Sequence, residues 1–279
     1  MSGITVNTNM QALRIQTNLN VATSKMNTAM ERMASGSKIN SAKDDAAGLA
    51  VSTKLSTTIS SSQIASNNVA IGSNLLDTAE GTLDVVNSNL QRIRDLTEQA
   101  SNGTYSTSDL KAIAAEVTAR ITEVDSLATG SNFNGIKLFN GNSGITLQVG
   151  TGSGDSLKLD STIFATVGLA TSLSGLSGAI TGTTPSATAA FLDTIDNTMA
   201  AITTRVTNIG AAQNQLQAVT DGLTVQQTNL SAAKSTITDA DIAQESASYV
   251  QQQILQQASA SLLVQANSAP QIALTLIKG

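Results

Sequence analysis

Residues 69–96 read VAIGSNLLDTAEGTLDVVNSNLQRIRDL. Val69, Gly72, Leu76, Ala79, Leu83, Val86, Leu90 and Ile93 step by three, then four, without a break. This is a heptad seam of period 3.5, and it predicts a helix packed along its whole length against other helices. The pattern extends upstream more weakly through Leu55, Ile59 and Ser62, with no proline to interrupt it. A helix from Asp44 to Ala100 would be about 85 Å long. An ordinary compact domain does not contain a helix of that length, so the sequence predicts an elongated rod whose partners are long helices too.

Such a partner stands near the other end of the chain. From about Ala187, the row Phe191, Ile195, Ile202, Val206, Ile209, Leu216, Val219, Leu223, Leu230 and Ile237 keeps the same spacing. The two rows define a candidate assembly seam of Leu76, Leu83, Leu90, Ile93, Ile202, Leu216, Leu223 and Leu230. Between them, Ser106 or Thr107 can cap a shorter helix with the apolar row Leu110, Ile113, Val117, Ile121, Val124 and Leu127. Its short connection predicts an antiparallel return onto the long helix.

Both termini carry a further helix. Ile15, Leu19, Ala22, Met26, Ala29 and Met33 step by four and three up to Ser35-Gly36, where glycine is suited to follow a helix end. Ser41 or one of the aspartates at 44 and 45 can cap the long helix that follows. At the other end, Asp239 can cap a helix over Ile242 to Ser268 with the row Ala243, Ala247, Val250, Ile254, Ala258 and Leu262, and Pro270 is expected to kink or end it. Ile15, Leu19, Met26, Val250, Ile254 and Leu262 are thus the expected terminal coiled coil.

From Phe133 the apolar period changes to two, through Ile136 to Leu138, Ile145 to Val149 and Leu157 to Leu159, with turn residues between. This predicts a small β-hairpin or meander. Thr171 to Ser186 is rich in Gly, Ser and Thr and is expected to be an exposed loop. The fold class is mainly α: long coiled-coil-like helices from both termini with a small β region. Three domains are expected. Residues 1–43 with 239–279 form a discontinuous terminal-helix domain, 44–160 with 188–238 a helical-bundle core, and 161–187 a short variable exposed loop.

Composition narrows the function. Aromatic residues make up 2% of the 279, Trp, Cys and His are absent, and the formal net charge is −5. No basic stripe suits nucleic acid. The lack of His removes the commonest general base and zinc ligand, and no Gly-rich phosphate loop follows a strand. Asp44 and Asp45 lack a nearby third ligand and read as a helix cap, so no metal, cofactor or enzymatic role is expected. Met1 to Asn9 has neither a basic start nor an apolar core, and no apolar run approaches the length of a membrane span. Export, if it occurs, would need a route that reads no cleavable signal. The seams alone fit both a self-assembling subunit and a monomeric bundle.

Longer motifs separate those readings. Near the N-terminus stand Val6-Asn7-Thr8-Asn9, the run from Arg32 to Gly48 (RMASGSKINSAKDDAAG), Leu90 to Leu96 (LQRIRDL) and Phe133-Asn134-Gly135. Near the C-terminus stand Gly210 to Asn214 (GAAQN), Asp239 to Ala243 (DADIA), and Gln265-Ala266-Asn267 before Pro270. In this order and at both ends, they resemble the bacterial flagellins over nearly everything except about residues 163–187. Lys38 stands where the family usually has Arg, Gln215 replaces a frequent Arg, and Arg205 sits one residue early; these departures bear on particular ion pairs. The large outer domains of many flagellins have no counterpart, so the resemblance is to a minimal form.

The resemblance implies a structural subunit that polymerises into the flagellar filament outside the cell, after unfolded export through the flagellar type III apparatus. It implies a secretion chaperone at the C-terminal region, and a filament cap and hook–filament junction proteins as neighbours. At the matching positions, it also implies that Arg92, Leu96 and Glu116 contact neighbouring subunits and the vertebrate Toll-like flagellin receptor. Surface ion pairs and a core leucine are the plainer reading of those three. The rivals are the hook–filament junction protein and a coiled-coil signalling rod. The zinc protease found inserted in some flagellins needs a His-Glu-x-x-His pair, which a chain without His cannot supply.

Overall fold

The computed structural model describes residues 8–141, 144–167, 172–182 and 185–278. Among them are six helices, α1 (Met10–Ser35), α2 (Ala46–Ala100), α3 (Thr107–Gly130), α4 (Leu176–Thr181), α5 (Pro185–Thr238) and α6 (Ile242–Lys278). Four short strands, β1 (Asn132–Phe133), β2 (Ile136–Lys137), β3 (Ile145–Gln148) and β4 (Ser156–Leu159), pair antiparallel as two separate ladders, β1 with β2 and β3 with β4. The chain divides into two compact units, Met1–Thr58 with Asn229–Gly279, and Ile59–Thr228. These boundaries fall inside α2 and α5 rather than at the Asp-rich breaks around residues 44 and 239.

The second unit is built on the seam of α2. Every position of the row from Ala65 through Val69, Gly72, Leu76, Ala79, Leu83, Val86, Leu90, Ile93 and Thr97 to Ala100 is buried. Leu76, Leu83, Leu90 and Ile93 are wholly excluded from solvent. Ile113, Val117 and Val124 of α3 and Ile195, Ile202, Ile209, Leu216 and Leu223 of α5 complete the same core. The eight-residue seam expected from sequence is therefore buried with one exception: Leu230 is half-buried and belongs to the other unit.

Capping defines the helix ends. At α3, Ser106 Oγ accepts from the Asp109 amide at 3.3 Å while Asp109 Oδ2 accepts from the Ser106 amide at 3.1 Å, a reciprocal box that satisfies two amide donors at once. Helix α3 then runs back along α2: Arg120 reaches Asn89 and Ser131 reaches Thr82. Helix α5 opens on Pro185, whose fixed φ suits a first helical turn. It also runs antiparallel to α2, since Arg94 bonds Asp196 while Asp77 and Glu80 bond Gln213.

The ladders lie against this bundle. Gly72 faces Leu147 of β3 so closely that a Cβ there would collide with the leucine side chain. Asn68 Nδ2 donates to the Gln148 carbonyl at 3.0 Å, fixing β3 on the same helix. One glycine thus supplies both a seam position and a seat for the hairpin.

The stretch 161–187 is not simply an exposed loop. Its residues 168–171 and 183–184 lie outside the described residues. Within the rest, Ile163, Phe164, Val167, Leu173, Leu176 and Ile180 are buried, and α4 packs on α3. Leu173, Leu176 and Ile180 step by three and four like the main seam; the Gly, Ser and Thr between them mask the period. Arg205 of α5 holds the preceding turn, donating to the carbonyls of Ala165 at 2.8 Å and Thr166 at 3.3 Å. Burial pulls the pKa of its guanidinium down.

Leu216→Asp tests the seam. Leu216 is 1% exposed, and an uncompensated buried carboxylate costs on the order of 3–5 kcal/mol. Chemical denaturation of the mutant should show that loss, whereas Val225→Asp, at a site 61% exposed, should change the midpoint little. Equal effects of the two substitutions would remove Leu216 from the core.

Candidate functional site

Three groups of residues carry the functional expectations: the terminal helix pair, the linkers that flank it, and the charged cluster between α2 and α3. In the first unit α1 and α6 pack side by side, antiparallel. Asn9 caps α1 through the Ala12 amide at 3.0 Å, and its amide nitrogen donates to the Ala266 carbonyl at 2.8 Å. Farther along, Gln256 Nε2 donates to Thr23 Oγ1 at 3.1 Å, Ser246 Oγ to Met33 Sδ at 3.3 Å, and Arg32 pairs with Glu245 at 3.2 Å. The register is therefore written largely in polar contacts.

The expected row on α1 faces its partner: Ala22 and Ala29 are buried, and Ile15, Leu19 and Met26 are half-buried. The expected row on α6 does not. Val250, Ile254 and Leu262 are 50%, 60% and 51% exposed. The covered side of α6 instead carries Glu245, Tyr249, Gln252, Gln256, Ser259, Leu263 and Ala266, again stepping by four and three. Helix α6 has two rows of the same period, and the one packed on α1 is the more polar. A search for apolar period selects the other row. Helix α6 also runs on past Pro270 to Lys278; a proline removes a single amide donor, and the helix resumes around it.

Short backbone contacts join the two linkers. Gly36, at φ 68°, ends α1 in the left-handed region that glycine adopts freely. Beyond it, Lys38 N donates to Thr238 O at 2.7 Å and Ala240 N to Gly36 O at 3.0 Å, with Ser37 and Asp239 paired between them. Asp45 caps α2 through the Gly48 amide at 2.9 Å, and Asp241, not Asp239, caps α6 through the amides of Ala243 and Gln244. Asp44 folds its linker on itself, and Asp239 folds back onto the last turn of α5. The Ser41 hydroxyl, followed by the Ser41 and Asn40 amides, holds the Asp44 carboxyl below the ordinary carboxylate range. The hydroxyls of Ser235 and Thr238 do the same for Asp239.

In the second unit, Glu116 Oε1 accepts from both Arg92 Nε and Arg120 Nε at 3.2 Å. Arg120 and then Arg92 lower the carboxyl's pKa. Arg92 and Glu116 stay 48% and 38% exposed in their side chains. Leu96 does not join that surface: it is 2% exposed and lies in the core, because its place in LQRIRDL falls on the buried side of α2. Sequence reasoning missed Arg94, which bonds Asp196 at 2.7 Å and Glu98 at 3.3 Å. Its only sequence signal was an arginine flanking the seam. Among the described residues, no group of three or more carboxylates is placed to hold a metal, and no helix is long and apolar enough to cross a membrane.

Comparison with known proteins bears on these features. A family model described as the bacterial flagellin N-terminal helical region matches residues 6–144, and one described as the bacterial flagellin C-terminal helical region matches residues 192–277. A flagellin of Halalkalibacterium halodurans is 36% identical over 274 residues, which cover 98% of this chain and 99% of the relative. A flagellin of Serratia marcescens is 46% identical over 155 residues, covering 56% of this chain but 44% of the relative. The chain thus matches under half the length of that longer protein. Among solved structures, a putative flagellar hook-associated protein of Vibrio parahaemolyticus is similar with a TM-score of 0.61 at 20% identity, covering 70% of this chain and 100% of the other. That likeness concerns the fold.

The linker carboxylates give an acid prediction. A carboxyl whose pKa is lowered on folding contributes stability above its unfolded-state pKa. That contribution is lost as pH falls through the lowered folded-state value. The protection of the Asn40 and Ser41 amides against hydrogen exchange, taken relative to the intrinsic rate at each pH, should therefore fall on acidification below the ordinary carboxylate range, and Asp44→Asn should flatten that response. A response unchanged in Asp44→Asn would show that another group sets it.

Proposed function

This chain belongs to the bacterial flagellin family, and on that premise we propose that it is a minimal flagellin: a structural subunit that polymerises into the extracellular flagellar filament used for motility. The match to the Halalkalibacterium flagellin over nearly the full length of both chains carries this reading. The similar full-length relative is a flagellin, which favours the filament subunit over the hook–filament junction protein. Seeded growth of the purified protein, viewed by electron microscopy, tests it: long filaments are expected, and failure to elongate would favour the junction role.

The proposal extends to the order of events. The subunit passes through the flagellar type III apparatus unfolded, with a secretion chaperone on its C-terminal region, and is placed beneath the filament cap. Its chemistry is mechanical; no catalytic role or cofactor is assigned. Within α1 only Ala22 and Ala29 are fully buried, so the terminal pair excludes little apolar surface. Ordering a backbone costs about 1–2 kcal/mol per residue, and burial offsets this at only about 25 cal/mol per Å². Meanwhile Leu13, Val21, Val250, Ile254, Leu262 and Val264 are all more than 45% exposed. Neighbouring copies would cover these residues, and the terminal helices become ordered on assembly. Limited proteolysis should trim residues 1–41 and 242–279 from the monomer and spare them in filaments. Equal protection in both states would separate folding from assembly.

Arg92 and Glu116 are assigned to a subunit contact that also serves recognition by a vertebrate Toll-like flagellin receptor. Leu96 supports that face from beneath. Arg92→Ala with Glu116→Ala should weaken both filament growth and receptor signalling by the monomer. Full signalling would remove the receptor role, and normal growth would remove the subunit contact.

A further inference from the structure

The sequence contains three Asn-Gly pairs, Asn102-Gly103, Asn134-Gly135 and Asn140-Gly141. In such a pair the glycine amide nitrogen can attack the asparagine side-chain carbonyl, because no Cβ on the following residue hinders the approach. All three asparagines are exposed, so solvent access does not rank them. Their backbones do.

Gly141 N donates to the Phe164 carbonyl at 3.2 Å, so its amide is already engaged. Asn134 stands at φ 50° and Gly135 at φ 81°, in a two-residue turn clamped by the pairs Phe133–Ile136 and Asn132–Lys137. Turning the Asn134 side chain onto the next amide requires backbone rotation that the ladder resists. Asn102 is different. It lies just past α2, in the connection that precedes α3, tied only by its own amide to the Gln99 carbonyl at 3.2 Å. Among the described residues, neither its side chain nor the Gly103 amide has a hydrogen-bond partner, and the space around Gly103 is open. Segments with few buried contacts open locally at the lowest free-energy cost.

We propose that Asn102 is the site of spontaneous deamidation in the folded chain. The Gly103 nitrogen, losing its proton, forms a bond to Asn102 Cγ; the Cγ–Nδ2 bond breaks and ammonia leaves. Water then adds to either carbonyl of the resulting succinimide and opens it to aspartate or isoaspartate. Either product places a carboxylate just beyond the C-terminus of α2, where the helix dipole disfavours negative charge, and isoaspartate also lengthens the backbone of the α2–α3 connection.

The test is incubation of the purified full-length chain in mildly alkaline buffer, followed by peptide mapping with mass spectrometry that separates aspartate from isoaspartate. Conversion at Asn102 should run at least several-fold faster than at Asn134 or Asn140. In denaturant the three rates should converge, because the local sequences are alike once the backbone restraints are gone. Gly103→Ala should slow conversion at Asn102 and leave the other two unchanged. Faster conversion at Asn134 or Asn140, or equal rates in the folded chain, would overturn the assignment.

Discussion

The row of side chains on one face of α2 can leave water only by meeting other helices, and much of the fold answers that constraint. With Leu76, Leu83, Leu90 and Ile93 wholly buried, neither α3 nor α5 is free to take another course: each offers the complementary row. Polar contacts on the flanks, such as Arg94 with Asp196 and Gln213 with Asp77 and Glu80, set register at modest energetic weight. Exposed contacts of this sort add little net stability, because solvent screens them. The apolar seam supplies the stability, and the flanking bonds choose among alignments that the repeat alone would allow.

The two units obey the same spacing rule with different side chains. In the bundle large branched side chains such as Leu76, Leu83, Leu90 and Ile93 fill much of the buried row. In the terminal pair only Ala22 and Ala29 of α1 are fully buried, the covered side of α6 carries Gln252, Gln256 and Ser259 beside Tyr249 and Leu263, and fixed contacts such as Gln256 with Thr23 and Arg32 with Glu245 do the aligning. A helix pair of that composition has little to lose by separating. Several of its apolar residues, among them Ile254 and Val264, stay exposed outside the contact between α1 and α6. On the function proposed above, stability within the chain and adhesion between chains fall to different faces.

Much of this was legible in the sequence because period is legible. The course of α2, its return as α3, the span of α5 and the switch to β alternation after Phe133 all follow from spacing and turn residues. What spacing hides is direction. Helix α6 carries two rows of equal period, and apolarity selects the one that faces solvent. Leu96 belongs to a motif that suggests a surface, yet its phase on the helix puts it inside. Helix α4 escaped notice because a Gly, Ser and Thr background diluted Leu173, Leu176 and Ile180. In each case the missing information was what lay opposite, which a single stretch of sequence does not state.

The backbone clasp between Lys38 and Thr238 has a consequence for the order in which the molecule can form. Ser37 and Thr238, joined at the same clasp, are 201 residues apart in the chain. Closing a loop of that size forfeits on the order of 5 kcal/mol of entropy in its length-dependent part alone. Contacts of such high sequence separation also slow folding. A chain delivered from its N-terminus holds α1 without its partner until nearly all the rest has arrived. Completion of the terminal unit therefore requires both of its distant segments, and a chain cut before Thr238 cannot close the clasp.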